Sequence, residues 1–140
     1  MTVDPRLPLA RLAPPVGPLV VTGSPLHMPS LTDDEHGAVM SELVDWVEEF
    51  AQRFAVEPRV IPPCWALHNE MVETLAALRD HERGSYAVDA PPTGAVDFLR
   101  AWRDIEHTLT TMTATTQCTA LEHRPRRTPG YPAREATADR

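Results

Sequence analysis

Three stretches of the chain carry apolar residues at alternating steps of three and four positions, which is the spacing of one face of an α-helix. They run from about Asp33 to Phe54, from about Cys64 to Arg83, and from Thr93 to about Thr116. Three such faces buried against one another predict an all-α protein, a small three-helix bundle. The apolar positions are Met40, Leu43, Val47, Phe50 and Phe54 in the first stretch, Met71, Leu75 and Leu78 in the second, and Ala95, Phe98, Trp102, Ile105, Leu109 and Met112 in the third.

The ends of these helices have recognisable signals. Thr32 and Glu35 have the spacing of a capping box, in which each side chain accepts a hydrogen bond from the other residue's backbone. Pro62 and Pro63 precede the second helix, and Gly84 is a plausible stop for it. Because only about nine residues connect the second and third helices, we expect the two to be antiparallel.

The bundle is expected to lie between two segments of different composition. Residues 1–30 hold seven of the 15 prolines and predict a flexible arm, since proline prevents a long helix. Residues 31–123 form the predicted helical domain. Residues 124–140 are rich in arginine and proline and predict a flexible tail. The apolar run in the arm, Leu19-Val20-Val21, is too short for the hydrophobic core of a signal peptide.

Composition and charge narrow the class of protein. The 140 residues include 13 arginines, no lysine, 20 acidic residues and only two cysteines, with a net charge of −7. The hydrophobic content of 42% is close to the average for globular proteins, so the chain has enough apolar residues to form a core. These values argue against a membrane-spanning protein, a disulfide-rich secreted scaffold and a general nucleic-acid binder, which should be basic. We expect a cytoplasmic protein without a membrane partner.

Charge is unevenly distributed along the chain. The tail has five arginines against two acidic residues, whereas residues 31–123 have 17 acidic residues against six arginines. A solvated tail is the simpler interpretation. The alternative is that Arg124, Arg126 and Arg127 contact an acidic partner or the phosphates of a nucleic acid, which would then bind through the tail only.

Each of the two cysteines is followed within five residues by a histidine: His68 follows Cys64, and His123 follows Cys118. Two thiolates and two imidazoles suit the tetrahedral coordination of zinc. If the second and third helices are antiparallel, both pairs arrive at the same end of the bundle. The sequence therefore predicts a structural zinc site formed by Cys64, His68, Cys118 and His123.

Other fates of the two cysteines stay open at this point. They could be unligated, half-buried thiols, or they could form a Cys64–Cys118 disulfide, because the same antiparallel arrangement would bring them together. A catalytic metal or a reactive thiol is a further alternative. If Cys64 begins the second helix, His68 lies one turn later on the same face. The positive end of that helix should then lower the pKa of Cys64.

The sequence contains no sign of an enzyme. It has no nucleophile elbow, no phosphate-binding glycine loop and no dinucleotide fingerprint. No pair of carboxylates stands in an apolar context that would favour general acid–base chemistry. We therefore expect a non-enzymatic, zinc-stapled helical module that binds another protein. The wide apolar face of the first helix would also support a dimer.

Four short segments carry a resemblance to a known family: Leu43-x2-Trp46-Val47, Pro63-Cys64-Trp65-Ala66-Leu67-His68, Leu75-Ala76-Ala77-Leu78 and Cys118-x4-His123-Arg124. They resemble small actinobacterial proteins with a domain of unknown function, often encoded on plasmids, conjugative elements and phage-like regions. The resemblance covers about residues 35–124, and the segment that opens the second helix is its most specific part. It implies an accessory protein of a mobile genetic element and brings no established activity.

Overall fold

The fold is known from a computed structural model that describes residues 25–125. Its three α-helices are α1 (Asp33–Arg53), α2 (Asn69–Ser85) and α3 (Gly94–Thr116). Short 3-10 turns at Met28–Ser30 and Trp65–Leu67 precede α1 and α2. The prediction of an all-α, three-helix bundle is confirmed.

The predicted flexible segments fall largely beyond this range. Residues 1–24 of the arm and residues 126–140 of the tail lie outside the described residues. Within residues 25–125, no helix is both long enough and apolar enough to cross a membrane.

The start of α1 follows the sequence signal closely. The backbone N–H of Glu35 donates to the Thr32 hydroxyl at 3.3 Å, and the backbone N–H of Thr32 donates to the Glu35 carboxylate at 3.0 Å. This capping box satisfies two donors that the first turn would otherwise leave unpaired. At the other end, Ala55 adopts a left-handed backbone conformation with φ of 50°, so the chain turns away just after α1 ends.

The start of α2 differs from the prediction. Cys64 lies before a 3-10 turn, His68 is the N-cap residue, and regular helix begins only at Asn69. Two consecutive prolines immediately upstream restrict the preceding backbone and favour a turn over a helical entry. The other end is also displaced, because α2 continues through Gly84 to Ser85. Gly84 is therefore not the helix stop.

Helices α2 and α3 are antiparallel, as predicted. Gly94 begins α3 so close to the end of α2 that a Cβ atom at this position would overlap the backbone carbonyl of Ser85. At the opposite pole, the sulfur of Cys118, just after α3, contacts the ring of His68 at the start of α2. These two contacts fix the ends of both helices, and the second lies at the predicted metal site.

Aromatic side chains form the centre of the core and join α1 to α3. The ring of Phe50 stacks on Trp46 with a centroid distance of 4.8 Å, and it meets Trp102 edge-on at the same distance. Phe50 also stacks on Phe54 and meets Phe98 in a T-shaped contact. Such pairs contribute about 0.5–1.5 kcal/mol each beyond the area that they bury.

The connection between α1 and α2 is anchored to the core before it reaches Cys64. Val60 and Ile61 are buried. The hydroxyl of Thr113, itself buried in α3, donates to the backbone carbonyl of Val60 at 2.9 Å. This hydrogen bond ties the connection to the last turns of α3, four residues upstream of Cys64. The position of Cys64 relative to α3 is thus set by the protein core.

The core also contains one charged residue that sequence analysis did not single out. Arg79 of α2 is only 1% exposed, with its guanidinium 3.6 Å from the Glu42 carboxylate and 4.0 Å from that of Asp80. Asp80 in turn accepts a hydrogen bond from the backbone N–H of Leu26 at 2.9 Å. The pKa of Arg79 is lowered, first by burial and then by the nearby positive charge of Arg83.

Candidate metal centre

The four predicted ligands come from two segments that meet at one pole of the bundle. Cys64 and His68 flank the 3-10 turn before α2. Cys118 and His123 lie in the segment that follows α3. One sulfur or nitrogen atom from each of the four lies within 4.8 Å of the others. These residues are therefore close enough to hold a metal ion.

The centre of this group is Nε2 of His68. It lies 3.6 Å from the sulfur of Cys64 and 3.4 Å from the sulfur of Cys118. The sulfur of Cys118 is also 3.7 Å from Nδ1 of His123. The two histidines thus turn different ring nitrogens towards the same point.

These distances match the edges of a tetrahedral zinc site. With Zn–S bonds of about 2.3 Å and Zn–N bonds of about 2.0–2.1 Å, a regular tetrahedron has S···N edges of about 3.5–3.6 Å. The three sulfur–nitrogen distances around His68 and Cys118, 3.4, 3.6 and 3.7 Å, fall close to that value. For these three pairs an ion at the centre would therefore require only small movements, and the other three pairs of donors lie within 4.8 Å.

The first part of the segment after α3 is shaped by a left-handed residue. The backbone N–H of Gln117 makes the last helical hydrogen bond, to the carbonyl of Thr113 at 3.1 Å, and its left-handed φ of 60° ends the helix. The backbone N–H of Cys118 then donates to the Thr116 hydroxyl at 3.2 Å. Together these contacts turn the chain back and leave Cys118 buried, with its sulfur against the ring of His68.

A second turn brings His123 back to Cys118. The hydroxyl of Thr119 accepts from the backbone N–H groups of Leu121 and Glu122, at 3.3 and 3.1 Å. The backbone N–H of Thr119 donates to the carbonyl of Glu122 at 2.9 Å. A hydroxyl that bonds backbone groups two and three residues ahead is typical of a tight turn.

The backbone closes over the sulfur of Cys118 directly after this turn. The N–H of Arg124 donates to that sulfur at 3.2 Å. Backbone N–H donors of this kind stabilise the charge of a thiolate. For Arg124, the sequence offered only the alternative that its charge contacts a partner, and its backbone contact with Cys118 could not be predicted from the sequence.

The pKa values of the two thiols are shifted in opposite directions. Burial raises the pKa of Cys118, but hydrogen bonds from the Thr116 side chain and the Arg124 backbone, with the charge of Arg124, outweigh it, and the pKa is lowered overall. The pKa of Cys64 is raised, first by burial and then by its contact with Cys118. The prediction that the helix dipole lowers the pKa of Cys64 is therefore wrong, since Cys64 does not begin the helix.

The centre is buried on one side and open on the other. His68 and Cys118 are each 7% exposed, Cys64 is half-buried and His123 is exposed. His68 and Cys118 thus form the protected half of the group. An exposed fourth donor leaves a route by which an ion can enter.

Of the three tail arginines considered for partner binding, the structure describes Arg124. The guanidinium of Arg124 is half-buried and lies 3.8 Å from the carboxylate of Glu122. Arg126 and Arg127 lie outside the described residues.

A small cavity lies elsewhere in the bundle, beside Phe54, Trp102 and Glu106. None of the four donors lines it, and its volume is about 60 Å³. Small-molecule sites typically have volumes of about 300–1,000 Å³. This cavity does not supply a substrate pocket next to the candidate metal centre.

Comparisons of the chain with protein-family models, with curated proteins and with solved structures found no match. The functional interpretation of the chain therefore depends on the four converging side chains and on the contacts around them.

Proposed function

We propose that this protein is a small helical module stapled by a structural zinc ion, without catalytic activity of its own, that binds another protein. The observation that carries the proposal is the convergence of Cys64, His68, Cys118 and His123, with sulfur–nitrogen distances close to those of a tetrahedral zinc site. Zinc binds cysteine and histidine donors, whereas the hard cations bind oxygen donors.

The arrangement favours a structural role for the ion over a catalytic one. Four side-chain donors complete a tetrahedron and leave no position for water or substrate. They belong to two segments of the chain whose cysteines are 54 positions apart. An ion bound to all four would cross-link the segment after α3 to the turn before α2. Residues 119–123 are exposed, so few core contacts compete with the ion in holding them.

Two apolar side chains beside the centre support an interaction role. Leu67 precedes His68 and is 69% exposed, and Leu121 lies between Cys118 and His123 and is 99% exposed. Each lies within two residues of a ligand, so a bound ion would order both. Exposed leucines on an ordered surface suit contact with another protein or a second copy of this chain.

The biological setting comes from the resemblance of the sequence. The segment Pro63 to His68, which is the most specific part of the resemblance, contains two of the four donors, and the matching Cys118-x4-His123 segment contains the other two. We therefore propose that the module serves as an accessory protein of a mobile genetic element. The zinc site would keep its partner-binding surface in one conformation.

The decisive experiment is a metal analysis of the full chain, purified without chelators and under reducing conditions. We expect about one zinc per chain. Removing the ion should lower the melting temperature, because binding to the folded state alone stabilises a protein by about 4 kcal/mol at a thousand-fold excess over Kd. A reduced protein that holds no metal and takes up none from added zinc would overturn the proposal.

A second candidate function is an accessory role in nucleic-acid binding through the tail. The observation that favours it is that the basic segment 124–140 starts at the metal centre, directly after His123. Truncation after Pro125 removes Arg126 and Arg127 and keeps the contact between Arg124 and Cys118. Binding to duplex DNA that weakens steeply with salt in the full chain and is absent after truncation would support this function. Equal binding by both proteins would exclude it.

A further inference from the structure

The chain has two cysteines, Cys64 and Cys118, and both are free thiols at the same pole of the bundle. Their sulfur atoms contact the same nitrogen of His68, at 3.6 and 3.4 Å, and lie within 4.8 Å of each other. A disulfide has an S–S distance of about 2.0 Å, so the sulfurs need to approach by at most about 3 Å. Because the chain has no other cysteine, an intramolecular disulfide can join only these two.

Neither sulfur is held by regular helix. Cys64 lies before a 3-10 turn, and Cys118 lies beyond the C-terminal cap of α3. Rotation about the side-chain bonds, with a small shift of either segment, would bring the sulfurs together without breaking a helical hydrogen bond. The core contacts of α2 and α3 are then unaffected.

The two sulfurs differ in their access to small molecules. Cys64 is half-buried, whereas Cys118 is 7% exposed and lies beneath the backbone of Arg124. A small oxidant arriving from solvent therefore meets the sulfur of Cys64 first. Cys118 is placed behind it, as the thiol that would react with the oxidised sulfur.

We propose that Cys64 and Cys118 form an oxidation site for peroxides, at which formation of their disulfide releases the bound metal. This inference rests on the proposed zinc site and adds its regulation. Zinc-bound thiolates are nucleophiles, so the sulfur of Cys64 attacks hydrogen peroxide; an S–O bond forms, the O–O bond breaks, and the hydroxide that leaves takes a proton to become water. The thiolate of Cys118 then attacks the sulfenic acid of Cys64. An S–S bond forms, the S–O bond breaks, and a second proton converts the departing hydroxide to water.

The two reaction steps balance in atoms and electrons. Two thiolates lose two electrons, one peroxide gains them, two protons are consumed and two waters are released. The disulfide has neither thiolate charge, so the ion keeps only the imidazoles of His68 and His123 and dissociates. The covalent bond then joins the same two segments that the ion had joined. The oxidised protein therefore keeps its fold and loses its metal.

The experiment uses the full-length, reduced, zinc-loaded protein treated with hydrogen peroxide in equimolar steps. A colorimetric zinc chelator follows the metal, thiol alkylation counts free cysteines, and tryptic mapping locates the cross-link. We expect release of about one zinc per chain, loss of both thiols, and a disulfide between peptides 60–79 and 104–126. A dithiol reductant should restore both thiols and zinc binding. The helical circular dichroism signal should stay constant throughout.

Three results would overturn the inference. One is zinc that stays bound while the peroxide is consumed; another is oxidation of either cysteine to sulfinic or sulfonic acid without a cross-link; the third is a disulfide between two chains. Cys64→Ser is the matched control, since a single thiol cannot form the intramolecular bond. A reduced protein that binds no zinc would instead refute the zinc site itself, which separates failure of the proposed function from failure of its oxidation.

Discussion

The sulfur of Cys118 lies 3.4 Å from Nε2 of His68, although 50 positions separate the two residues in the chain. The contact depends on the antiparallel packing of α2 and α3, which brings the end of α3 to the start of α2. It also depends on the left-handed residue Gln117, which turns the chain back after α3. His68 and Cys118 are both buried, so this pair forms the part of the candidate centre that the core positions most firmly.

His68→Ala should abolish stoichiometric zinc binding and lower the melting temperature of the protein purified with zinc. The substitution removes the nitrogen that both sulfurs contact and leaves the cysteines without their central partner. Loss of a structural ion should cost several kcal/mol, or more than about 10 °C in a domain of this size. Metal analysis and thermal unfolding check both effects.

His107→Ala is the matched control for that variant. His107 is exposed on α3 and is not among the four donors, so its replacement should leave zinc content and melting temperature nearly unchanged. If both variants keep one zinc per chain, the ion is bound elsewhere. If His68→Ala lowers the melting temperature of the metal-free protein as much as that of the zinc-loaded protein, its effect comes from packing alone.

The four donors could be predicted from the sequence because the prediction needed only helix order and chain length. Residue spacing placed Cys64 and His68 at one end of α2, and a short connection placed Cys118 and His123 at the facing end of α3. The local structure that holds them could not be predicted in the same way. Gln117 is neither glycine nor asparagine, the residues that most often adopt a left-handed conformation, so its φ of 60° could not be predicted from the sequence.

Contacts made by backbone groups could not be predicted from sequence patterns either. The N–H of Arg124 that donates to Cys118 belongs to the backbone, and every residue except proline has such a group. The burial of Arg79 could not be foreseen either, because it requires Glu42 of another helix to lie beside it. Apolar periodicity, in contrast, predicted correctly that Leu43, Leu75 and Leu109 are fully buried.

Thr119→Ala should weaken zinc binding without unfolding the bundle. The Thr119 hydroxyl accepts two backbone N–H groups in the turn that returns His123 to the centre. Loss of such supporting hydrogen bonds around a metal site typically costs about 10–100-fold in affinity. Competition with a chelator of known zinc affinity measures the change.

Thr111→Ala provides the comparison. Its hydroxyl donates to the carbonyl of His107 on the exposed face of α3, and alanine is the better helix former. Zinc affinity should therefore equal that of the unmodified chain. An affinity of Thr119→Ala that matches Thr111→Ala would show that the turn does not position His123.

The stability of the reduced, metal-free protein should pass through a maximum near the pKa of an unfolded cysteine, about 8.5. The pKa of Cys118 is lowered overall, because the hydrogen bonds from Thr116 and Arg124 lower it by more than burial raises it. Cys118 therefore adds stability above the unfolded pKa that is lost as pH falls through its folded pKa. The pKa of Cys64 is raised, chiefly by burial, so above the unfolded pKa this thiol subtracts stability.

Urea unfolding between about pH 6 and pH 10 checks this profile, with thiolate absorbance recorded on the same samples. Cys118→Ser should remove the rise below the maximum, and Cys64→Ser should remove the fall above it. A first ionisation that persists in Cys118→Ser and disappears in Cys64→Ser would reverse the assignment.

Gly94→Ala should destabilise the bundle by about 1–3 kcal/mol, the usual cost of forcing an extra carbon into a packed interface. Gly94 is buried, and a Cβ there would overlap the backbone carbonyl of Ser85, which cannot rotate away as a side chain would. The start of α3 must therefore move away from the end of α2. Since a shift along α3 would also displace Cys118 relative to His68 at the other pole, zinc affinity should fall together with stability.

Gly37→Ala separates this steric effect from helix propensity. Gly37 lies inside α1, and a Cβ there meets no atom within 4 Å. The same substitution should consequently stabilise the protein by about 0.5–1 kcal/mol, because alanine loses less backbone entropy in a helix. Thermal unfolding of both variants should thus give shifts of opposite sign. Shifts of the same sign would mean that the close approach of Gly94 to Ser85 does not set the packing of α2 on α3.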